Sequence, residues 1–222
     1  MKQVFLKKEG NPSLLLFFAG WGADERLFDR PVASGYDYML CFDYRTLDFD
    51  YSLLDGYEKI NLIAWSMGVW VAGSVLSGTG WPLAMSVAVN GTLYPIDDRR
   101  GIPRDIFEGT LQGFSEKTLV RFRRRMCGTA EQVKEFLSHD PYRPLAELEE
   151  ELAALKGFVE QEDVPDFPWS HAIAGTQDRI FPFENQQNAW KEIPVHIMDV
   201  PHYDAQLFDR LLSEKEEVWI RH

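Results

Sequence analysis

The chain has 222 residues, a length that suits one α/β domain with an insertion. Its formal charge of −12 argues against a protein that binds nucleic acid by electrostatic attraction alone. No charged-then-apolar signal opens the chain, and apolar runs such as residues 14–19 are too short to span a bilayer, so we expect a cytoplasmic protein without a membrane contact. The two cysteines, Cys41 and Cys127, lack metal-ligand spacing, and we expect both to pack as small apolar side chains.

Seven short apolar segments predict β-strands, and most are continuously apolar, as in strands covered by helices on both faces. They lie at residues 4–6, 14–19, 38–42, 60–65, 86–90, 171–174 and 195–200. Helical patterns separate several of them, and residues 69–76 predict a buried helix directly after the fourth strand. This alternation predicts an α/β fold with a mostly parallel sheet flanked by helices.

The alternation stops between residues 92 and 168, where charged helical segments and several prolines replace the strands. Pro144 predicts the start of a helix, whose apolar face would carry Leu145, Leu148, Leu152 and Leu155. The strand pattern returns at residue 169. We therefore expect one domain, in which residues 1–91 and 169–222 form the core and residues 92–168 form a helical cap insertion.

A serine follows the fourth predicted strand, in the segment AWSMG at residues 64–68. The nucleophile elbow of the α/β-hydrolase fold holds its serine in a strained turn between a strand and a helix, which requires small residues two positions before and after it. Gly68 satisfies this requirement, and Ala64 departs from the usual glycine by one methyl group. Ser66 is therefore the candidate nucleophile of an α/β-hydrolase, and the alternative is a serine in an ordinary turn.

A serine hydroxyl needs a base, and the base needs an acid to orient it; in this fold the chain order is serine, acid, histidine. His202 follows the last predicted strand, and Asp178 follows the strand before it. Asp204 is the rival acid, but we expect it to cap the next helix. We expect the other histidines to be structural or exposed: His139, His171, His196 and His222.

An oxyanion hole requires two backbone N–H groups that point at one position. Met67 directly follows the candidate nucleophile at a helix N-terminus, and Trp21 lies in a Gly-Trp-Gly loop after the second predicted strand. These two are the candidate donors, and the alternative for the loop is a packed turn. No histidine–carboxylate pair has metal-ligand spacing and no phosphate-binding glycine loop is present, so we expect neither a metal nor a cofactor.

The segments FAGWG, AWSMGVWVA, NGT, DDRRGIP and RMCG occur in this order along the chain. Together they resemble the BioG-type pimeloyl-[acyl-carrier protein] methyl ester esterases of biotin synthesis, which are α/β-hydrolases. The resemblance implies an enzyme that removes the methyl group from its carrier-linked ester through a Ser-His-Asp acyl-enzyme mechanism. It assigns Ser66, Asp178 and His202 to the triad, and Trp21 and Met67 to the oxyanion hole.

Basic charge is concentrated early in the insertion, where residues 99–125 carry eight basic and three acidic side chains. Residues 115–126 predict a helix capped by Ser115. At 100° per residue, one face carries the apolar stripe Leu119, Phe122 and Met126, and the opposite face carries Arg121, Arg124 and Arg125. Arg123 lies near the edge of the stripe, where we expect it to pack or pair locally.

Acyl carrier proteins are acidic, so the resemblance implies that Arg121, Arg124 and Arg125 dock the carrier; the alternative is a solvated face balanced by the chain's own acids. Candidates for the wall of an acyl pocket are Trp65, Phe107, Leu111 and Phe114. Two other functions stay open. One is a generic short-chain carboxylesterase or thioesterase of the same fold, and the other is a catalytically inert binding protein.

Overall fold

The computed structural model describes residues 1–219, and a seven-stranded sheet forms its centre. His222, one of the histidines expected to be structural or exposed, lies outside the described residues. The spatial order is β1-β3-β2-β4-β5-β6-β7; β1 runs antiparallel to β3, and the other neighbours are parallel. The strands are β1 (Lys2–Lys7), β2 (Ser13–Phe18), β3 (Tyr36–Phe42), β4 (Lys59–Trp65), β5 (Leu83–Val89), β6 (His171–Gly175) and β7 (Val195–Met198).

This sheet confirms the predicted α/β fold and its mostly parallel strands. The central strands β2, β3 and β4 are buried along almost their whole length, which explains their continuous apolar sequences. The edge strands β1 and β7 are only partly buried, and they carry lysine or histidine among their apolar residues.

Helices cover both faces of the sheet. The predicted buried helix is α2 (Met67–Leu76), which begins directly after β4 and buries nine of its ten residues. A short 3₁₀ turn, Tyr51–Leu54, precedes β4. The other helices outside the segment between β5 and β6 are α1 (Glu25–Phe28), α7 (Phe183–Ala189), α8 (Ala205–Ser213) and α9 (Glu216–Trp219). No helix in residues 1–219 is long and apolar enough to cross a bilayer.

Four helices, called here the insertion helices, lie between β5 and β6. They are α3 (Arg104–Gln112), α4 (Glu116–Cys127), α5 (Ala130–Ser138) and α6 (Leu145–Gln161). The predicted cap of α4 is present, since the Ser115 hydroxyl accepts a hydrogen bond from the Thr118 N–H.

Helix α6 begins after Pro144, as predicted, but its buried face differs from the predicted leucine stripe. Leu148, Leu152 and Leu155 are buried, whereas Leu145 is 38% exposed because it lies in the first turn at the surface. Glu151 occupies a buried position on this helix with 0% exposure. The buried face of α6 therefore consists of three leucine side chains and one glutamate carboxylate.

Both cysteines are buried and unpaired, at 0% exposure, which confirms their expected packing role. Burial raises the pKa of the Cys127 thiol to about 12, although nearby Arg123 favours the thiolate. A thiol that stays protonated at neutral pH is a poor nucleophile. Neither cysteine competes with a serine as the reactive group.

A buried carboxylate fixes the turn between β1 and β2. Asp37, near the start of β3, is 1% exposed. It accepts hydrogen bonds from the backbone N–H groups of Glu9 and Asn11 at 2.9 and 3.1 Å, and from the Tyr57 hydroxyl at 2.9 Å. Burial by itself would raise the pKa of Asp37, but these hydrogen bonds outweigh it and hold the pKa at about 2.

We predict that Asp37→Asn lowers the free energy of unfolding by about 2 kcal/mol at pH 7. A depressed pKa means that the carboxylate stabilises the fold above its unfolded value near 4 and loses this contribution as the pH falls toward 2. Chemical denaturation of both proteins at pH 7 and pH 3 measures the effect, and the difference should fall by about half at pH 3. An equal difference at both pH values would contradict the assignment.

Candidate active site

Ser66 lies in a sharp turn between the end of β4 and the start of α2. Its φ of 59° and ψ of −129° are strained for a residue with a side chain. A Cβ atom on Gly68 would lie 2.4 Å from the carbonyl oxygen of Ala19, so only glycine fits there. Ala64 is fully buried in β4, where its methyl group is accommodated without exposure. The turn therefore has the form of a nucleophile elbow.

In the structure, the His202 side chain lies between those of Ser66 and Asp178, within hydrogen-bond distance of both. His202 Nε2 lies 3.0 Å from Ser66 Oγ, and His202 Nδ1 lies 2.8 Å from Asp178 Oδ2. All three residues are buried. When Nδ1–H donates to the carboxylate, Nε2 is left with a lone pair that accepts the serine proton. This arrangement has the chemistry of a serine nucleophile with its general base.

Asp178 is held by groups on its own loop and on α7. Its Oδ1 accepts hydrogen bonds from the N–H groups of Ile180 and Phe181, at 2.7 and 2.9 Å. Its Oδ2 also accepts from Gln186 Nε2 at 3.0 Å. These contacts orient the carboxylate toward the imidazole. Asp204 instead caps α8, as expected, by accepting from the N–H of Leu207 at 2.8 Å.

Asn90, at the end of β5, ties together the two loops that carry the acid and the histidine. Its Oδ1 accepts from the Gly175 N–H at 2.8 Å, and its Nδ2 donates to the carbonyl oxygens of Pro201 and His202 at 2.9 and 3.1 Å. Trp65 Nε1 also donates to the carbonyl oxygen of His202, at 2.9 Å.

The sequence did not predict the roles of Asn90 or Gln186. The position of Asn90 in the sequence could have indicated its role, because a polar residue at the end of a buried parallel strand lies at the same sheet edge as the candidate site. No sequence feature indicates the role of Gln186, since its contact with Asp178 depends on how α7 packs.

The two candidate oxyanion donors both border the space beside Ser66. Trp21 and Met67 line the same pocket as Ser66, and a Cβ atom on Gly20 would lie 3.0 Å from Ser66 Cβ. Within residues 1–219, neither the Trp21 N–H nor the Met67 N–H has a hydrogen-bond acceptor. Gly22 has a φ of 78°, which lets the loop turn away after Trp21. Both N–H groups are thus available to a ligand.

The other described histidines lie elsewhere. His171 is in β6 and His196 in β7, with their ring nitrogens 3.1 Å apart. His139 follows α5, with its ring 3.6 Å from a carboxylate oxygen of Glu135. In the described part of the chain, no group of three or more His, Cys, Asp or Glu side chains is arranged to hold a metal ion.

An apolar pocket opens beside Ser66 and His202. Of the four predicted wall residues, Trp65 and Phe107 line it. Leu111 and Phe114 are not among the described residues that do so. The Phe114 ring instead packs against the Trp21 ring in a T-shaped arrangement, with centroids 5.7 Å apart. Other apolar residues of the wall are Met67, Ile102, Phe122, Leu152 and Ile180.

The expectation that three arginines share the face opposite the apolar stripe of α4 is wrong for Arg125. Arg125 lines the pocket beside Phe122, and Arg121 and Arg125 both line a groove between α3 and α4 that adjoins this pocket. The reason is the helical angle itself: Arg125 lies only about 60° around the helix from Phe122, so it flanks the apolar stripe rather than opposing it. Arg124 is exposed, and Arg123 pairs locally with Asp140 at 2.8 Å, as expected.

Known proteins are similar to this chain in sequence and in architecture. Residues 1–213 match the family described as "Pimeloyl-ACP methyl esterase BioG". The chain belongs to the BioG family. BioG from Haemophilus influenzae has a solved structure that is 37% identical, with a TM-score of 0.87 over 99% of this chain and 100% of that one.

Another relative of this BioG-family chain is a longer protein of Bacteroides fragilis (strain 638R) named malonyl-[acyl-carrier protein] O-methyltransferase. It is 47% identical over 210 residues, which are 94% of this chain and 42% of that protein. The chain thus spans less than half the length of that relative.

The fold is shared more widely. The enol-lactonase from Burkholderia xenovorans LB400 is 12% identical and has a TM-score of 0.63, over 90% of this chain and 88% of that one. The fold is therefore that of the α/β-hydrolases, as predicted.

We predict that Asp178→Asn lowers kcat for an ester substrate by about 10⁴-fold and leaves KM nearly unchanged, because the amide favours the wrong histidine tautomer. Asp204→Asn is the matched control, and it should retain most of the activity because asparagine caps a helix about as well as aspartate. Steady-state kinetics of both variants on a soluble nitrophenyl ester compare the two acids. A loss as large in Asp204→Asn would contradict the choice of Asp178.

Proposed function

We propose that the chain is a cytoplasmic serine carboxylesterase that hydrolyses the methyl ester of pimeloyl-[acyl-carrier protein] in biotin biosynthesis. The observation that carries this proposal is the hydrogen-bonded line from Ser66 through His202 to Asp178 at the base of an apolar pocket, in a chain of the BioG family. No cofactor or metal ion takes part in the proposed reaction.

In the first half of the reaction, His202 Nε2 takes the proton from Ser66 Oγ, and the oxygen attacks the ester carbonyl carbon. The N–H groups of Trp21 and Met67 bind the negative oxygen of the tetrahedral intermediate. The protonated His202 then gives its proton to the methoxy group, which leaves as methanol. The pimeloyl chain remains bound to Ser66 as an ester.

In the second half, His202 takes a proton from water, and the hydroxide attacks the same carbonyl carbon. The intermediate collapses, Ser66 Oγ regains a proton from His202, and the acyl chain leaves with a free terminal carboxylate. Asp178 holds the imidazole ring in one tautomer throughout and stabilises its positive form. Each half therefore uses the same base and the same pair of N–H donors.

The walls of the pocket support an aliphatic acyl chain as substrate. Phe107, Phe122 and Leu152 come from insertion helices α3, α4 and α6, and Ile180 comes from the loop after β6. We propose that residues 92–168 act as a cap over a core of residues 1–91 and 169–222. Closing apolar walls around the ester would exclude water from the acyl chain.

The groove between α3 and α4 supports a carrier-linked substrate. It shares Ile106, Phe122 and Arg125 with the pocket and continues to the surface past Arg121. A chain bound with its ester at Ser66 would leave along this groove, past positive charge that suits an acidic carrier. Arg124, exposed on the same helix, extends this charge.

We predict that purified protein hydrolyses methyl pimeloyl-[acyl-carrier protein], and that Ser66→Ala removes this activity and labelling by a fluorophosphonate. Expression of the wild-type gene should restore growth of a biotin-requiring strain that lacks its esterase, whereas Ser66→Ala should not. Rescue by Ser66→Ala would contradict the mechanism.

Two results would favour the other candidate functions. Hydrolysis of free nitrophenyl or thioester substrates without the carrier-linked methyl ester would indicate a generic esterase or thioesterase. Absence of both hydrolysis and fluorophosphonate labelling in the folded wild-type protein would indicate an inert binding protein.

We predict that Arg121→Glu and Arg124→Glu together lower kcat/KM for the carrier-linked ester by about 10-fold at low salt, because positive charge speeds the encounter with an acidic carrier. The rate on a short soluble ester should stay unchanged, and the effect should shrink as ionic strength rises. Lys8→Glu and Lys191→Glu together are the charge-matched control, since both lysines are exposed and lie outside the insertion helices. Equal losses on both esters would rule out docking at this face.

A further inference from the structure

We propose that Glu151, on insertion helix α6, is a positioning residue for the oxyanion hole. Its side chain is not among the described residues that line the pocket beside Ser66, and it instead holds the loop that carries the Trp21 N–H. The inference rests on the proposed esterase function. It adds a residue that acts through Trp21 rather than on the substrate.

The two oxygens of Glu151 bind two different stretches of backbone. Oε2 accepts from the N–H of Gly22 at 3.3 Å, which is the peptide group directly after Trp21. Oε1 accepts from the N–H of Tyr44 at 2.9 Å. The Tyr44 hydroxyl in turn donates to the carbonyl oxygen of Ala19 at 2.7 Å. The carboxylate thus contacts one end of the loop of residues 19–22 directly at Gly22, and it is connected to the other end, at Ala19, through Tyr44.

The same helix also holds the side chain of the oxyanion residue. Trp21 Nε1 donates to the carbonyl oxygen of Leu148, at 2.8 Å, one helical turn before Glu151. The Trp21 ring packs edge-on against Phe114 and Phe122, with centroids 5.7 and 5.0 Å away. Because α6 holds both the indole and the following peptide group, a shift of this helix face moves the Trp21 N–H.

The burial of Glu151 supports a positioning role for its carboxylate, because burying a charge is costly unless specific contacts compensate. The side chain is 0% exposed among the buried leucines of α6, where a carboxylate loses its hydration. Burial raises the pKa of Glu151, while the Arg143 guanidinium at 2.5 Å favours its charged form. Arg143 also pairs with Asp43 at 2.9 Å. A leucine would continue the stripe without desolvating a charge, but it could not accept the N–H groups of Gly22 and Tyr44.

Glu151→Gln tests the proposal, because it keeps one oxygen acceptor and replaces the other with an amide donor. We expect kcat on 4-nitrophenyl butyrate, per active site titrated with a fluorophosphonate, to fall about 10- to 100-fold, with KM within about twofold of wild type. A boronic acid that forms a tetrahedral adduct with the serine should lose affinity by a similar factor. Titration counts only folded sites, so a loss of stability alone would not produce this pattern.

Two further variants complete the test. Glu149→Gln, exposed on the same helix, should keep the wild-type kcat. Glu151→Asp keeps the charge but withdraws the carboxylate by one methylene, so it should lose less kcat than Glu151→Gln at unchanged KM, and it carries the test if the amide variant does not fold. Unchanged kcat per titrated site, or a lower kcat with unchanged boronic acid affinity, would overturn the proposal. A soluble ester keeps this result separate from the identity of the carrier-linked substrate.

Discussion

The close approach of main chains at the carboxyl ends of β2, β4 and β5 is the constraint on which the site depends. A Cβ atom on Gly68 would lie 2.4 Å from the Ala19 carbonyl oxygen, and one on Gly91 would lie 2.3 Å from the Ser66 carbonyl oxygen. No side chain fits at either position, so the packing of the sheet edge over-determines the turn and maintains its positive φ. That turn directs the Ser66 hydroxyl to within 3.0 Å of His202.

The candidate active site is formed by the sheet edge and the insertion helices together. The sheet edge carries the proposed nucleophile, base and acid, and helices α3, α4 and α6 supply half of the apolar residues in the wall beside them. Helix α6 also binds the loop of Trp21 through Leu148 and Glu151. The shape of the pocket and the position of an oxyanion donor therefore depend on the same packing, so a change in how α6 packs would affect substrate binding and chemistry together.

Much of this could be predicted from the sequence because each of Ser66, Asp178 and His202 follows a strand. Parallel strands end at one sheet edge, so residues far apart in the chain meet there. The helix cap at Asp204 could be predicted from local turn chemistry alone. Features that depend on packing could not: a helical pattern does not show which of several glutamates in α6 is buried, and Asn90 and Gln186 were missed for the same reason. Arg125 is a different case, because 100° per residue already places it only about 60° from Phe122, beside the apolar stripe of α4 rather than opposite it.

In the proposed mechanism, Ser66 attacks an ester carbonyl while the Trp21 and Met67 N–H groups hold the resulting oxyanion. A crystal structure of the protein inactivated with an alkyl phosphonate tests it most directly, since the tetrahedral phosphorus stands in for the reaction intermediate. We expect a covalent bond from Ser66 Oγ to phosphorus, with the phosphonyl oxygen about 2.7–3.1 Å from both backbone nitrogens. An adduct on another residue, or a phosphonyl oxygen that points away from both N–H groups, would contradict it.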